Sequence, residues 1–391
     1  MLFFEDLEDE SDFMAHKKTW LICKEEPLAG MSFANIFRLL WENKFRIHPK
    51  YYLRFWYAIG LATITAPMRV IERILYHRKI KKTEIKTDPI FVIGHYRTGT
   101  TYLMTLLSMD KDRGYVSNLE GYAPHFFLSF PKITKALIDM SLPDVRPMDN
   151  VPMGAEEPTE EEYSIGAMSK YGYYNGFIFP RNFDQYTRYL TFEGLPKDLE
   201  KWKKIYYYFV QKMTLKYEGR QMIFKNPTNS YRIPHILEMF PNAKFIHTYR
   251  NPYEVYPSTY KFFDEVFAIY TLQTWDDEKM KLDILRNYKT LYEYLERDIK
   301  LIPEGNIVHV KYEEFIEDPM KHIDRIYSEL GLELKEEYRE NMRKYAETQR
   351  REYKPNVHKI TDDVIERVNK YWSDYRDHWG YEKLEASSTS N

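Results

Sequence analysis

Pro89-Ile-Phe-Val-Ile-Gly94-His-Tyr-Arg97-Thr-Gly99-Thr-Thr101 decides how this chain is read. Pro89 to Ile93 is a short apolar run, as expected of a buried strand, and it feeds a loop whose glycines, Gly94 and Gly99, are spaced as in a nucleotide-binding P-loop. Where P-loop NTPases place lysine, this chain has Thr100. Backbone N–H groups at a helix N-terminus can cradle a phosphate without that lysine, because the cradle needs only a tight turn and the helix dipole. What is lost is the group that reaches the β- and γ-phosphates of ATP. A phosphate loop carrying Arg97 and Thr98 in place of that machinery points to a nucleotide whose 5′ end is not a triphosphate.

Outward from the loop, Tyr102 to Met109 has Leu103, Leu106 and Leu107 on one helical face, so the loop sits between strand and helix. Thr159 to Glu162 has the Thr-x-x-Glu form of a capping box and is expected to open a helix. Met222-Ile223-Phe224, Ala243 to Tyr249 and Asn306 to Val310 read as further short strands, with a helix over Tyr231 to Phe240 between the first two. Ile284, Leu285, Tyr288, Leu291, Tyr292, Leu295 and Ile299 repeat at helical spacing. Asp318-Pro319 suits a helix start and Gly331 a helix stop. Strands alternating with helices predict a single α/β domain, with a mostly parallel central sheet flanked by helices in a P-loop-like arrangement. We expect a helical arm and an apolar helix over 1–85, the nucleotide-binding domain over 86–385 and a disordered tail over 386–391.

The chain has 391 residues, and its 57 basic and 59 acidic side chains leave a net charge of −2, so no global field recruits nucleic acid. Any anion site must be local, and no nucleic-acid partner is expected. One cysteine, Cys23, forms no intramolecular disulfide, and the acidic start lacks the basic and long apolar segments of a signal peptide. The chain reads as cytoplasmic. Aromatics are abundant at 17%, with 35 tyrosines and 23 phenylalanines, which fits either half-buried helical faces or a lipophilic pocket.

The first fifty residues read as an irregular arm with short helices. Phe55 to Met68 is the longest near-apolar stretch, too short to span a bilayer of about 20 apolar residues. It is expected to be a buried helix; the alternatives are a wall of an acceptor pocket or a peripheral membrane contact. The basic run Arg78 to Lys82 is expected to be a solvated linker.

Arg250 ends a predicted strand, and Ser258 follows past Asn251-Pro252 on the next predicted helix. An arginine and a hydroxyl so placed can clamp a second phosphate. Two phosphate sites on one sheet imply a bisphosphorylated nucleotide.

These residues together resemble the sulfotransferases that use 3′-phosphoadenosine 5′-phosphosulfate (PAPS), in the bacterial-type branch whose loop reads Gly-His-x-Arg-[Ser/Thr]-Gly-Thr-Thr. That loop is Gly94 to Thr101 here. The family's Lys-Asn-Pro block appears as Lys225 to Thr228, continuing through Phe240 to Pro252 to Ser258. Its Tyr-Glu-x-[Leu/Phe] block appears as Tyr312, Glu313 and Phe315, before Asp318-Pro319. The resemblance covers 89–331 and implies a sulfotransferase domain over 86–385. It implies that Arg97, Thr98, Gly99, Thr100 and Thr101 hold the 5′-phosphosulfate, that Arg250 and Ser258 hold the 3′-phosphate, and that Tyr312 lies against adenine.

Sulfuryl transfer, like phosphoryl transfer, needs in-line geometry and cations at the leaving phosphate. Arg97 and Lys225 are the expected catalytic cations. No metal is expected, since the histidines are dispersed and lack ligand spacing. For the general base, relatives use histidine or a glutamate after the first helix, which by position suggests Glu120, slightly ahead of His125. The cluster Glu156, Glu157, Glu160, Glu161 and Glu162 is the next candidate. His95 is a candidate for the acceptor side, His247 reads as a core histidine, and Arg350 to Lys354 reads as a solvated charge run.

The expected partner is a small-molecule acceptor alcohol, preferably lipophilic: a sterol, steroid or lipid. The alternatives are a carbohydrate or protein acceptor, a small-molecule kinase, or a non-catalytic nucleotide-binding protein. A carbohydrate polymer would call for more exposed positive charge. The number of chains in the assembly is not legible in the sequence.

Overall fold

Strand β1 (Ile90–Gly94) is buried at every position, which its unbroken apolar run requires of a central parallel strand covered on both faces. It lies in the middle of a five-stranded, all-parallel sheet with β2 (Arg113–Tyr115), β3 (Gln221–Lys225), β4 (Lys244–Tyr249) and β5 (Ile307–Lys311), in the order β2-β3-β1-β4-β5. The register pairs Val92 with Lys225 and Gly94 with Thr248, which brings the carboxyl ends of β1, β3 and β4 to one edge. The computed structural model describes residues 22–143, 145, 152–352 and 359–387.

Alternate residues of β1 feed two cores. On one face Phe91 stacks with Phe224 and Phe245, ring centroids 5.7 and 5.6 Å apart. On the other, Ile90 and Val92 pack with Ile223 and Ile246. The helices that cover the sheet are, in chain order, α1 (Phe33–Glu42), α2 (Tyr52–Lys81), α3 (Thr100–Leu107), α4 (Asn118–Tyr122), α5 (Pro131–Ser141), α6 (Glu161–Met168), α7 (Asn175–Ile178), α8 (Phe183–Thr191) and α9 (Pro196–Lys216). They continue as α10 (Ile233–Met239), α11 (Pro252–Tyr270), α12 (Asp277–Asp298), α13 (Tyr312–Glu317), α14 (Pro319–Glu329), α15 (Glu336–Glu352), α16 (Asp362–Tyr371) and α17 (Ser373–His378). The parallel sheet with helices on both faces is the expected α/β architecture.

The strands and the long helix α12 fall where periodicity places them, and Asp318 caps α14 by accepting from the Lys321 amide. Three local expectations fail. The Thr159–Glu162 capping box does not form: α6 begins at Glu161 with no side-chain cap, and the Glu162 carboxylate is fully buried against Arg232. Arg78 to Lys82 is no linker, because α2 runs on through Lys81. The apolar stretch from Phe55 is helical but not simply buried.

Helix α2 faces the wrong way for a soluble surface helix. Its inward positions include Arg54, Thr65, Arg69 and Glu72, all buried. Buried charges of this kind are tolerated only when fully partnered. Arg54 donates to the carbonyls of Ile22, Ala268 and Thr271, while Glu72 accepts from the amides of Leu128 and Ser129 and pairs with Lys212.

The buried ion pair Glu162–Arg232 anchors the segment after β3. Arg232 donates to Glu162 Oε2 at 2.8 Å and to the Tyr189 carbonyl, and its guanidinium lies 4.9 Å from the Trp202 ring centroid. Burial alone would raise the Glu162 carboxyl, but the Arg232 charge and its hydrogen bonds hold it below its ordinary value. Arg232→Met strands that carboxylate in the core, so the unfolding free energy in urea should drop by about 3–5 kcal/mol. A loss under about 1 kcal/mol would show that Glu162 finds another partner.

Candidate active site

The loop from His95 to Gly99 turns sharply because two residues adopt left-handed backbone: Arg97 at φ 68° and Gly99 at φ 87°. Gly99 is the N-cap of α3, so the loop delivers the helix N-terminus to the strand ends. A Cβ on Gly99 would lie 2.3 Å from Cδ2 of Tyr312, and one on Gly94 would lie 2.3 Å from the Thr248 carbonyl oxygen. Neither position accepts a side chain. The loop is pinned from within: the Thr98 hydroxyl donates to the His95 carbonyl at 2.7 Å and meets the Thr248 hydroxyl at 2.8 Å, and the Gly94 amide donates to Ser230 Oγ at 2.9 Å.

The residues expected at the two phosphates converge. Arg97 Nε donates to Ser258 Oγ at 2.9 Å, joining the loop directly to α11. Arg250, just past β4, donates to the Arg97 carbonyl at 3.4 Å and places its guanidinium 4.2 Å from the Tyr312 ring centroid. Glu254, one helical turn on, pairs with Arg250 and fixes its direction. Arg97, Gly99, Arg250, Ser258 and Tyr312 thus form one contiguous group at the carboxyl edge of the sheet, where open α/β sheets bind ligands. Its donors and its methyl-free backbone suit a phosphorylated nucleotide.

Next to it, along Thr101 and Thr105 of α3, opens a cleft of about 730 Å³. Thr101, Thr105, Glu160 and Lys225 line one part of it, and Tyr163, Phe262, Val266, Ile269 and Tyr270 give it an apolar wall. Lys225 ends β3, is 3% exposed and pairs with Glu160, whose second oxygen accepts from the Tyr174 hydroxyl. The first residues after the phosphate loop and the Lys225–Glu160 pair therefore face the same space.

Glu120 and His125 are not among the residues that line this cleft. Glu120 lies in a capping box at the start of α4, accepting from the Ser117 amide at 2.8 Å and its hydroxyl at 2.6 Å, and it pairs with Lys216. His125 Nε2 lies 3.2 Å from the Ala167 carbonyl, and burial, with help from the Lys212 charge, lowers its pKa to about 4.

The acidic cluster divides by side-chain direction. Glu161 and Glu162 are buried structural groups, Glu161 accepting from Tyr206 at 2.8 Å and Asn229 at 2.6 Å, with burial pushing its carboxyl up to about 7. Glu157 and Glu160 reach the cleft. His95 packs against Tyr288, ring centroids 4.5 Å apart, and burial lowers its pKa to about 3; it does not line the cleft. His247 is buried 3.0 Å from His309. Arg350 and Arg351 belong to the last turn of α15, and Tyr353 and Lys354 lie outside the described residues. Among the described residues no group of acids, histidines or cysteines is arranged to hold a metal. Glu254 was legible in advance from its four-residue spacing to Arg250; Ser230, Thr248 and Tyr174 carried no such signal.

A family model described as "Sulfotransferase family" matches residues 89–336. The omega-hydroxy-beta-dihydromenaquinone-9 sulfotransferase Stf3 of Mycobacterium bovis is 32% identical over 358 residues, 90% of this chain and 91% of that protein. The Mycobacterium tuberculosis protein of the same name matches equally. Among solved structures, sulfotransferase STF9 from Mycobacterium avium superposes with a TM-score of 0.65 at 19% identity, over 87% of this chain and 88% of that one. STF1 from Mycobacterium tuberculosis gives 0.54 at 17% identity, over 82% and 86%. Those two likenesses show the fold.

Gly99→Ala forces an L-residue into a left-handed conformation and a methyl into the Tyr312 ring, so it should lower the unfolding free energy by about 1–3 kcal/mol. Adding Tyr312→Ala removes the collision but not the backbone strain, so the double variant should regain part of the loss. Strictly additive losses in urea titrations would mean that the two positions do not touch.

Proposed function

The chain belongs to the sulfotransferase family, and on that premise we propose that it moves a sulfuryl group from PAPS to the hydroxyl of a small lipophilic alcohol. The observation that carries this reading is the shared cleft: Thr101, just past the phosphate loop, faces Lys225, Glu160 and an aromatic-aliphatic wall. PAPS supplies a sulfuryl group on a phosphate leaving group. The Arg97 loop would hold the 5′ end, with the backbone amides at the start of α3 as donors. Arg250 and Ser258 would hold the 3′-phosphate, the arginine through its planar, forked set of donors. Tyr312, beside Arg250, would offer its ring to the adenine.

Within the cleft, Lys225 would stabilise charge gathering on the leaving phosphate. Glu160 is the base we assign. Its oxygens already accept from Lys225 and Tyr174, and a carboxylate retains lone pairs for a third hydrogen bond, here from the acceptor hydroxyl. Glu120 and His125 are committed to local structure. The apolar wall of Phe262, Val266 and Ile269 favours a lipophilic acceptor over a glycan. The name of the 32%-identical relative carries a hydroxylated menaquinone, which puts ω-hydroxylated isoprenoids first among acceptors to try.

Radiolabelled PAPS offered with isoprenoid alcohols, sterols, phenols and glycans should label the lipophilic alcohols; label only on glycans would overturn the acceptor reading. Glu160→Gln should lower kcat about 10²–10⁴-fold while leaving adenosine 3′,5′-bisphosphate affinity unchanged. Near-normal turnover in that variant would remove Glu160 as the base.

A further inference from the structure

The largest exposed apolar surface belongs to α1 and α2, away from the phosphate loop. On α2 the outward positions run Leu53, Trp56, Ile64, Ile71, Ile74 and Leu75, each more than two-fifths exposed. Their spacing keeps them on one stripe of a 30-residue helix, while Arg54, Ala58, Ala62, Thr65, Arg69 and Glu72 turn inward. Helix α1 repeats the pattern: Phe37 and Trp41 are exposed and, with Phe45 just beyond the helix, form a ladder of rings 5.8 to 6.2 Å apart. Arg69 of α2 lies over the Phe33 ring of α1, joining the two stripes into one face. A soluble monomer rarely exposes so much contiguous apolar surface without a partner for it.

Charge identifies the partner. The whole chain carries −2, yet residues 31–83 hold eleven arginines and lysines against two glutamates. Both glutamates are turned to protein: Glu72 is buried on Lys212, and Glu42 pairs with Lys170. Most of the exposed basic residues stand toward the ends of the apolar stripes, with Arg38, Lys44 and Arg46 at one end and Arg78, Lys79, Lys81 and Lys82 at the other, while Arg73 lies within the α2 stripe. Tryptophan and aliphatic residues bounded by arginine and lysine are the composition of an element that lies in a bilayer interface. No helix among the described residues is long and apolar enough to cross a membrane.

We propose that the outward face of α1 and α2 docks this protein on the surface of an anionic lipid bilayer. The apolar side chains enter the headgroup boundary and the flanking basic residues meet lipid phosphates. Beside α2 lies a second, open pocket, between Leu61 and Thr65 of α2 and Leu137 and Ile138 of α5. It shares Glu25 and Tyr122 with the cleft that holds Lys225. Docking itself does not depend on the acceptor reading.

The test is co-sedimentation of the full-length chain with vesicles of phosphatidylcholine alone or mixed with phosphatidylglycerol, alongside the triple variant Trp41→Glu, Trp56→Glu, Leu75→Glu. The native chain should partition onto the anionic vesicles, and less so at high salt. The triple variant should bind at least tenfold more weakly, with unchanged circular dichroism and unchanged affinity for adenosine 3′,5′-bisphosphate. A native chain that stays in solution with both vesicle types overturns the proposal, as does a triple variant that binds like the native chain. If light scattering then shows a native dimer that the triple variant converts to monomer, a second copy covers the face. If deleting residues 1–21 turns a non-binder into a binder, the chain's own N-terminal segment covers it.

Discussion

At Gly99 the backbone runs so close to the Tyr312 ring that one added methyl has no room, and the chain turns there through a left-handed conformation. That close approach ties the end of β1 to the residue that follows β5, two strands away in the sheet. The neighbouring contacts of the loop follow from it. The turn lifts Arg97 toward Ser258, points the start of α3 at the strand ends, and leaves the Tyr312 ring for Arg250 to cover.

Polar chemistry and apolar surface are kept apart by the sheet edge. On one side the arginines and hydroxyls gather around the loop after β1; on the other, aromatic and aliphatic side chains wall a cleft. Lys225 and Glu160 stand at the border, a buried ion pair at the end of β3. Such a pair is costly to desolvate and weak evidence of stability. The neighbouring Glu162–Arg232 pair is the contrasting case. It lies fully inside, with hydrogen bonds on every side, and holds the β3 segment that presents Lys225.

Much of the loop after β1 and of the sheet was legible in the sequence because backbone-imposed residues are local. Gly94 and Gly99 answer to φ angles and close approach, and strands such as β4 announce themselves by apolar runs. What failed was decided at long range. Thr159-x-x-Glu162 has the letters of a capping box, but Arg232, seventy residues away, takes the carboxylate. Glu120, expected by position as a base, is held by a hydroxyl three residues earlier and by Lys216 on α9, and the second contact leaves no mark in the local sequence. The edge strand β2, three residues long, carries no periodicity to read. Phe55 to Met68 looked like core because apolar letters do not say which way they face; Arg54, Arg69 and Glu72, buried beneath them, turn the apolar side out.

The central claim is that one contiguous site recognises both phosphates of a 3′,5′-bisphosphorylated adenosine. Calorimetric titration of the native chain with adenosine 3′,5′-bisphosphate and with adenosine 5′-phosphate measures it directly. The bisphosphate should bind at least tenfold more tightly, and Arg250→Ala should erase most of that preference while leaving 5′-phosphate binding nearly unchanged. Equal affinity for the two nucleotides, or a preference that survives Arg250→Ala, would contradict it.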